Sequence, residues 1–168
     1  MNQYHTQIEF ENAYADVSCF DYGTEVKEYH AMIHVGRQRL TFSQQLEAVL
    51  GVYKQLIEGQ FVGAHAVFKR YFLSDAANQA DEVIVSDVTD CAKSIIQQAP
   101  LDGTKIALWV WLMTGVQTSM TESGLYQVSH GQFRHLWNGS AHNMAANSEY
   151  QTRLLFNEYN MQLLQEEC

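Results

Sequence analysis

Basic residues are scarce in this sequence, and proline and cysteine are scarcer. Only 10 Lys and Arg stand against 19 Asp and Glu, which gives a net charge of −9. Such a chain is repelled by phosphodiester backbones, so we expect no nucleic-acid partner. A single proline and 10 glycines among 168 residues exclude fibrous and low-complexity classes. The 3 cysteines are an odd number without short metal-type spacing, which favours a reducing cytoplasm.

Long apolar runs are missing as well. No stretch approaches the roughly 18 apolar residues that suggest a membrane span, and the N-terminus lacks the basic start of a signal peptide. Neither a phosphate-binding glycine loop nor a nucleophile elbow is present. We therefore expect a cytoplasmic protein without a membrane partner. Its 168 residues suffice for one domain, or for one domain with an appendage.

What the sequence does contain is a series of apolar strand patterns, the clearest of which is 104–113. There, four aliphatic side chains alternate with a second row that includes Trp109 and Trp111. Because both rows are mostly apolar, we expect both faces of this strand to be covered, by helices or by another subunit. Further strands are predicted at 25–35, 66–73 and 93–98, with a short edge strand at 7–10 and a loop at 19–24.

Helix signals lie between these strands. Thr41 with Gln44 three residues later is a capping box, and an apolar stripe at helical spacing follows it until Gly59 and Gly63. A short helix or irregular segment is predicted at 78–90. The patterns thus predict an α+β fold in which helices cover a sheet.

The chain changes character after Met113. We predict a polar linker at 114–123, a hairpin at 125–137 around His130-Gly131, and a helix opened by the capping box Ser148 and Gln151. This helix matches the first one at a constant offset of 106 positions (151 − 45): Gln45 with Gln151, Val49 with Leu155, Tyr53 with Tyr159, and Ile57 with Leu163. The offset indicates a faint internal repeat, whose second unit is incomplete.

Three segments together resemble the YjgF/RidA family, also called endoribonuclease L-PSP-like. They are VFKRYFLSD at 67–75, CAKSIIQQAPL at 91–101 and KIALWVW at 105–111, and the resemblance covers about residues 25 to 113. It implies a chorismate-mutase-like fold with a mixed sheet packed against helices, a homotrimer, and ligand clefts between subunits. Active members of the family hydrolyse reactive imines and enamines, such as 2-aminoacrylate, to ketones and ammonia.

The resemblance also suggests how the chain is divided. Residues 1–113 would form the YjgF/RidA-like domain, and residues 114–168 a linker, hairpin and helix that resemble part of a second family unit. We expect this extension to dock on the main sheet or on a neighbouring subunit. Its removal should expose the contacts of Leu155 and Tyr159.

The positions that carry function in the family differ here. The arginine that binds the substrate carboxylate in the family lies in an Ala-Arg-Ser triplet. The matching triplet in this sequence is Ala92-Lys93-Ser94. Lysine keeps the charge but lacks the planar fork that binds a carboxylate through two parallel bonds. The family's acidic residue of the last strand corresponds to Trp109, which cannot exchange a proton in that role.

These residues leave two hypotheses open. In the first, the protein is an oligomer that binds a small anion, a carboxylate for example, without imine deaminase chemistry. In the second, it is an active deaminase in which Lys93 replaces the arginine. Both use a predicted aromatic, cationic pocket of Lys93, Trp109, Trp111 and Tyr71, with Lys93 as the candidate catalytic residue. Alternatively, the tryptophans are core or trimer contacts and Lys93 is a solvated strand lysine.

We expect neither a cofactor nor a metal ion. His30 and His34 share a strand face, but four residues of strand separate them by about 13 Å. His130, His135 and His142 lie close in sequence but lack the helical spacing of a zinc site. The segment with Asp87, Asp90 and Cys91 could carry acid–base or thiol chemistry, and a polar loop around a small buried thiol is the simpler interpretation.

Overall fold

The computed structural model describes residues 2–36, 39–139 and 147–167, and His142 and Cys168 lie outside them. Three strands open the chain, and a helix follows them: β1 (Asn2–Glu9), β2 (Ala13–Asp21), β3 (Lys27–Val35) and α1 (Phe42–Gln55). The next elements are β4 (His65–Leu73), α2 (Ala76–Ser86), β5 (Ala92–Gln97) and β6 (Ile106–Thr114). The last are β7 (Gln117–Met120), β8 (Tyr126–His130), β9 (Phe133–Trp137) and α3 (Ser148–Gln165).

The first six strands form one mixed sheet in the order β1-β2-β3-β6-β4-β5. Neighbouring strands are antiparallel except β4 and β5, which are parallel and are joined by the crossover helix α2. The predicted α+β class, a mixed sheet with helices, is therefore confirmed.

Helix α1 begins as its sequence predicts. The Thr41 side chain accepts a hydrogen bond from the backbone N–H of Gln44. The Gln44 side chain accepts one from the backbone N–H of Thr41. The buried face of α1 packs on β2, β3 and β6 with Leu46, Val49 and Val52. A single π-helical turn, Leu56–Gln60, extends the helix before β4.

Two predicted loops contain strand residues. Residues 19–24 were expected to form a loop, but β2 continues to Asp21, and the linker predicted at 114–123 contains β7. The inward row of β2 includes Ala13 and Ala15, whose small side chains give a weak apolar signal. β7 is polar except for Met120 (QTSM), so it has no apolar alternation that marks a strand.

The main sheet has two different faces. The face under the helices, here called the closed face, is buried almost completely and includes Ile33, Tyr71 and Leu108. The opposite face, here called the open face, is largely half-buried: its partly exposed residues include Tyr14, Asp16, His30, Met32, His34, Arg70, Trp109 and Trp111. Both faces of β6 were predicted to be covered; helices cover only the closed face, and Trp109 and Trp111 on the open face are partly exposed.

The C-terminal residues form a second, three-stranded antiparallel sheet, β7-β8-β9, followed by α3. The predicted hairpin is present, and Gly131, with a φ of 54°, suits the first turn position of a type II′ hairpin. The cap of α3 is Asn147, which accepts from the Tyr150 amide, and not Ser148 as predicted. Three antiparallel strands and a helix also open the chain, so both units have the same order of elements.

The second sheet docks on the open face of the same protomer. Trp137 lies 5.7 Å from Phe68 and 4.7 Å from Trp111 between ring centroids. Gly139 approaches the Lys93 backbone so closely that a Cβ on the glycine would collide with the Lys93 nitrogen and oxygen.

Helix α3 is held mainly by polar contacts. Gln162 donates to the Ser123 carbonyl at 3.0 Å and accepts from Asn138 at 2.9 Å. Leu155 and Tyr159 are only half-buried. None of the described helices has the length and apolar character needed to cross a membrane.

Candidate functional site

A lysine in the middle of an apolar strand is the first unusual feature of β4. The Lys69 side chain is fully buried on the closed face. Its ammonium group donates to both carboxylate oxygens of Asp87, at 3.0 and 3.1 Å, and to Thr89 Oγ1 at 2.8 Å. It also lies 3.5 Å from the centroid of the Tyr53 ring. All three ammonium donors can therefore be satisfied inside the core.

Asp87 joins these groups directly after α2. Tyr71 donates its hydroxyl to Asp87 Oδ2 at 2.6 Å, and the Thr89 amide donates to Oδ1 at 3.1 Å. Burial alone would raise the pKa of Asp87, but the charge of Lys69 and these hydrogen bonds lower it to about 2. Burial lowers the pKa of Lys69, and Asp87 opposes that shift. The two groups form a buried ion pair.

Lys93, the residue predicted to bind an anion, also contacts Asp87. Its ammonium donates to the Asp87 carbonyl at 2.5 Å and lies 3.6 Å from Asp87 Oδ2. The side chain is 29% exposed. The ammonium group that was expected to hold a ligand thus already contacts Asp87, whose single negative charge it shares with Lys69. We call Lys69, Tyr71, Asp87, Thr89 and Lys93 the charged cluster.

The four predicted pocket residues are not brought together in one protomer. Tyr71 is fully buried on the closed face, and Lys93 pairs in register with Lys69 and belongs to the same face. Trp109 and Trp111 lie on the open face, on the other side of the sheet.

The open face carries a continuous aromatic cluster. His30 lies 4.8 Å from Trp111 and is stacked on Trp109 at 5.8 Å between centroids. Phe68 lies 5.8 Å from Trp109, and Trp137 completes the group. The buried indole N–H groups of Trp111 and Trp137 have no hydrogen-bond acceptor in the described part of the chain. Both β6 tryptophans therefore contact other aromatic rings and are partly exposed on the open face.

Arg70 is a cation on the open face, and it was not among the predicted site residues. It pairs in register with Trp109 on one side and Ser94 on the other. Its guanidinium carbon lies 5.2 Å from the Phe68 ring centroid. Arg70 has no ion-pair partner within residues 2–36, 39–139 and 147–167, and its buried Nε has no acceptor there. The strand period could have revealed it, because Lys69 and Arg70 must point to opposite faces.

Histidines 30 and 34 supply titratable groups to the same face. His30 Nε2 lies 3.7 Å from Glu28 Oε2, and His34 Nε2 lies 3.9 Å from Asp16 Oδ2. Burial lowers the pKa of His30, and Glu28 opposes the shift. His30 is therefore neutral at pH 7 and able to accept a proton.

Cys91 is unsuited to thiol chemistry. It is 7% exposed, and burial raises its pKa to about 11, so the thiolate is not populated at neutral pH. Asp87 is committed to the ion pair with Lys69, and Asp90 is exposed. In the described residues, no group of three or more His, Cys, Asp or Glu side chains is arranged to hold a metal ion.

Two surface cavities lie away from the charged cluster and from Arg70, and Trp137 of the aromatic cluster lines the first of them. One, of about 340 Å³, lies between β9 and α3 and is lined by Leu136, Trp137, Asn138, Leu155, Phe156 and Tyr159. The other, of about 360 Å³, lies between α1 and α2. Comparisons with family models, with curated proteins and with solved structures gave no match.

Proposed function

We propose that this protein is a YjgF/RidA-like oligomer with a chorismate-mutase-like fold, which binds a small anionic metabolite and lacks imine deaminase chemistry. The observation that carries this proposal is the contrast between Lys93, already bound to Asp87, and Arg70, which has no acidic partner among the described residues. We place the anion at Arg70, on the open face, rather than at Lys93.

The surroundings of Arg70 suit a carboxylate. Arginine presents parallel N–H groups that match the two oxygens of a carboxylate, which lysine cannot do. The Phe68 ring lies against the guanidinium and reduces the competition from water, and Trp109 is the neighbour of Arg70 on the adjacent strand. Ser94, on the neighbouring strand, offers a hydroxyl in the same row. Such a site favours a small carboxylate that carries an apolar or planar group.

Assembly would complete this site. The open face exposes Trp109 and Trp111 only in part, and a single protomer does not enclose Arg70. We propose that a second copy covers this face in a homotrimer, so that the ligand lies between subunits. Light scattering at micromolar concentration should give three chain masses. A monomer at that concentration would contradict the proposal.

Binding experiments can show which of the two cationic residues, Arg70 or Lys93, binds the anion. Benzoate, pyruvate and phosphate serve as probes by calorimetry, because they differ in planar apolar surface and in anion type. Arg70→Ala should abolish binding of the carboxylates, and Lys93→Ala should leave it within about threefold. If Lys93→Ala abolishes binding and Arg70→Ala does not, the anion binds at Lys93 and our placement is wrong.

The alternative function, an imine deaminase, is favoured by one observation. His30 is neutral at pH 7 and stacks on Trp109, the position of the family's acidic residue, so it could take over proton transfer. Ammonia release from 2-aminoacrylate well above the uncatalysed rate, lost in His30→Asn, would establish this function. If no such release is measured, we keep the proposal that the protein binds an anion without deaminase chemistry.

A further inference from the structure

The hairpin β8-β9 holds two imidazoles next to each other. His130 pairs with Phe133 across the turn, and Val128 pairs with His135, so both histidines belong to the same side of the hairpin. Their Nε2 atoms are 3.2 Å apart, and their ring centroids are 5.3 Å apart at an interplanar angle of 17°. We propose that this pair binds a divalent transition-metal ion, Cu²⁺, Ni²⁺ or Zn²⁺, through both Nε2 atoms.

The nitrogen separation fits a shared ion. Two nitrogens at about 2.0–2.1 Å from a tetrahedral ion are separated by about 3.3–3.4 Å. The observed separation differs from this by little more than 0.1 Å. The rings stand nearly parallel, so rotation about the side-chain torsions is needed to direct both lone pairs at one ion. His135 is exposed and His130 is partly exposed, so this rotation meets little resistance.

The hairpin limits how far the two rings can separate. Only Gly131 and Gln132 connect β8 to β9, and the positive φ of Gly131 makes this tight turn possible. Phe133 lies 5.5 Å from His130 between ring centroids and supports that ring. Within the described residues, neither histidine has an ion-pair partner, so no carboxylate must be displaced.

The two imidazole ligands determine which metal ions the site can bind. Imidazole nitrogens suit Cu²⁺, Ni²⁺ and Zn²⁺, whereas Mg²⁺ and Ca²⁺ prefer oxygen ligands. The two Nε2 atoms lie at hydrogen-bonding distance, and a bound metal ion would replace the proton between them. With two protein ligands, water fills the remaining positions, and the site exchanges its ion readily.

The test is calorimetric titration of the full chain, without a histidine tag, with ZnCl2, NiCl2 and MgCl2 at pH 7.5. Wild type should bind one Zn²⁺ or Ni²⁺ at this site and should not respond to Mg²⁺. His130→Asn and His135→Asn should each weaken Zn²⁺ binding at least tenfold. His65→Asn, at an exposed histidine of β4, is the matched control and should bind as wild type does.

Two further measurements keep the result clear. Far-UV circular dichroism should show that each variant has the wild-type spectrum. Zn²⁺ binding by wild type should weaken in acid, because protons compete with the metal ion for nitrogen ligands. Wild-type Zn²⁺ affinity in both His130→Asn and His135→Asn, or no binding by wild type at millimolar Zn²⁺, would overturn the proposal.

Discussion

Lys69 and Arg70 are consecutive residues of one strand, and they are in opposite environments. Lys69 points to the closed face, where Asp87, Thr89 and Tyr53 surround its ammonium group. Arg70 points to the open face, where aromatic rings flank it and no described carboxylate pairs with it. The comparison shows that charge alone does not identify a functional residue. Lys69 is paired within its own chain, whereas Arg70 has no ion-pair partner among the residues that the structure describes.

The largest loss of stability is expected when the ion pair between Lys69 and Asp87 on the closed face is broken. Asp87→Ala leaves Lys69 buried without its counter-charge, so the free energy of unfolding should fall by about 3–5 kcal/mol. Urea denaturation measures this change. Asp90→Ala, at an exposed carboxylate three residues away, is the control and should change stability by about 0.5 kcal/mol or less. Equal losses in both variants would refute the role of the ion pair.

A smaller loss is expected in acid. The folded-state pKa of Asp87 is about 2, below its ordinary value of 3.8, so the unfolded chain takes up a proton first as the pH falls. The contribution is therefore fully present above about pH 4 and is lost between about pH 4 and pH 2. It amounts to about 2 kcal/mol, since one pKa unit corresponds to about 1.4 kcal/mol. Urea unfolding at a series of pH values tests this, and Asp87→Asn should lack this part of the pH dependence.

The smallest effect on stability is expected at Arg70. Its side chain is half-buried and makes no described ion pair, so Arg70→Ala should change the free energy of unfolding by about 0.5–1 kcal/mol, through lost packing on Phe68. Thermal and urea unfolding of the free protein should therefore differ little from wild type. A loss as large as that of Asp87→Ala would mean that the two faces do not differ as we describe.

Much of the fold could be predicted from local patterns. The capping box of α1, its apolar stripe and both rows of β6 each follow from residues close together in sequence. Strand β2 was predicted as a loop near Cys19, because its alternation rests on small alanines. The start of α3 was misplaced by one residue, because Asn147 and Ser148 are both good caps.

The candidate site could be predicted much less well. The charged cluster needs Lys69 and Asp87 to meet across 18 positions of sequence, and no local pattern encodes that contact. Lys93 was a reasonable anion anchor by its place in the triplet, but the sequence does not show that the Asp87 carbonyl faces it. The 3.2 Å contact of His130 and His135 likewise depends on cross-strand register, which a spacing rule for helices cannot detect.

The close contact between Gly139 and Lys93 has a consequence for aggregation. Strand β5 is at the edge of the main sheet, and an exposed edge can recruit strands from other molecules. By lying against the backbone of Lys93, Gly139 occupies space that an incoming strand would need. Any side chain at this position would push the segment away, because its Cβ would collide with the Lys93 backbone. Because residue 139 is a glycine, the C-terminal unit can lie close to β5 and hinder its pairing with strands of other molecules.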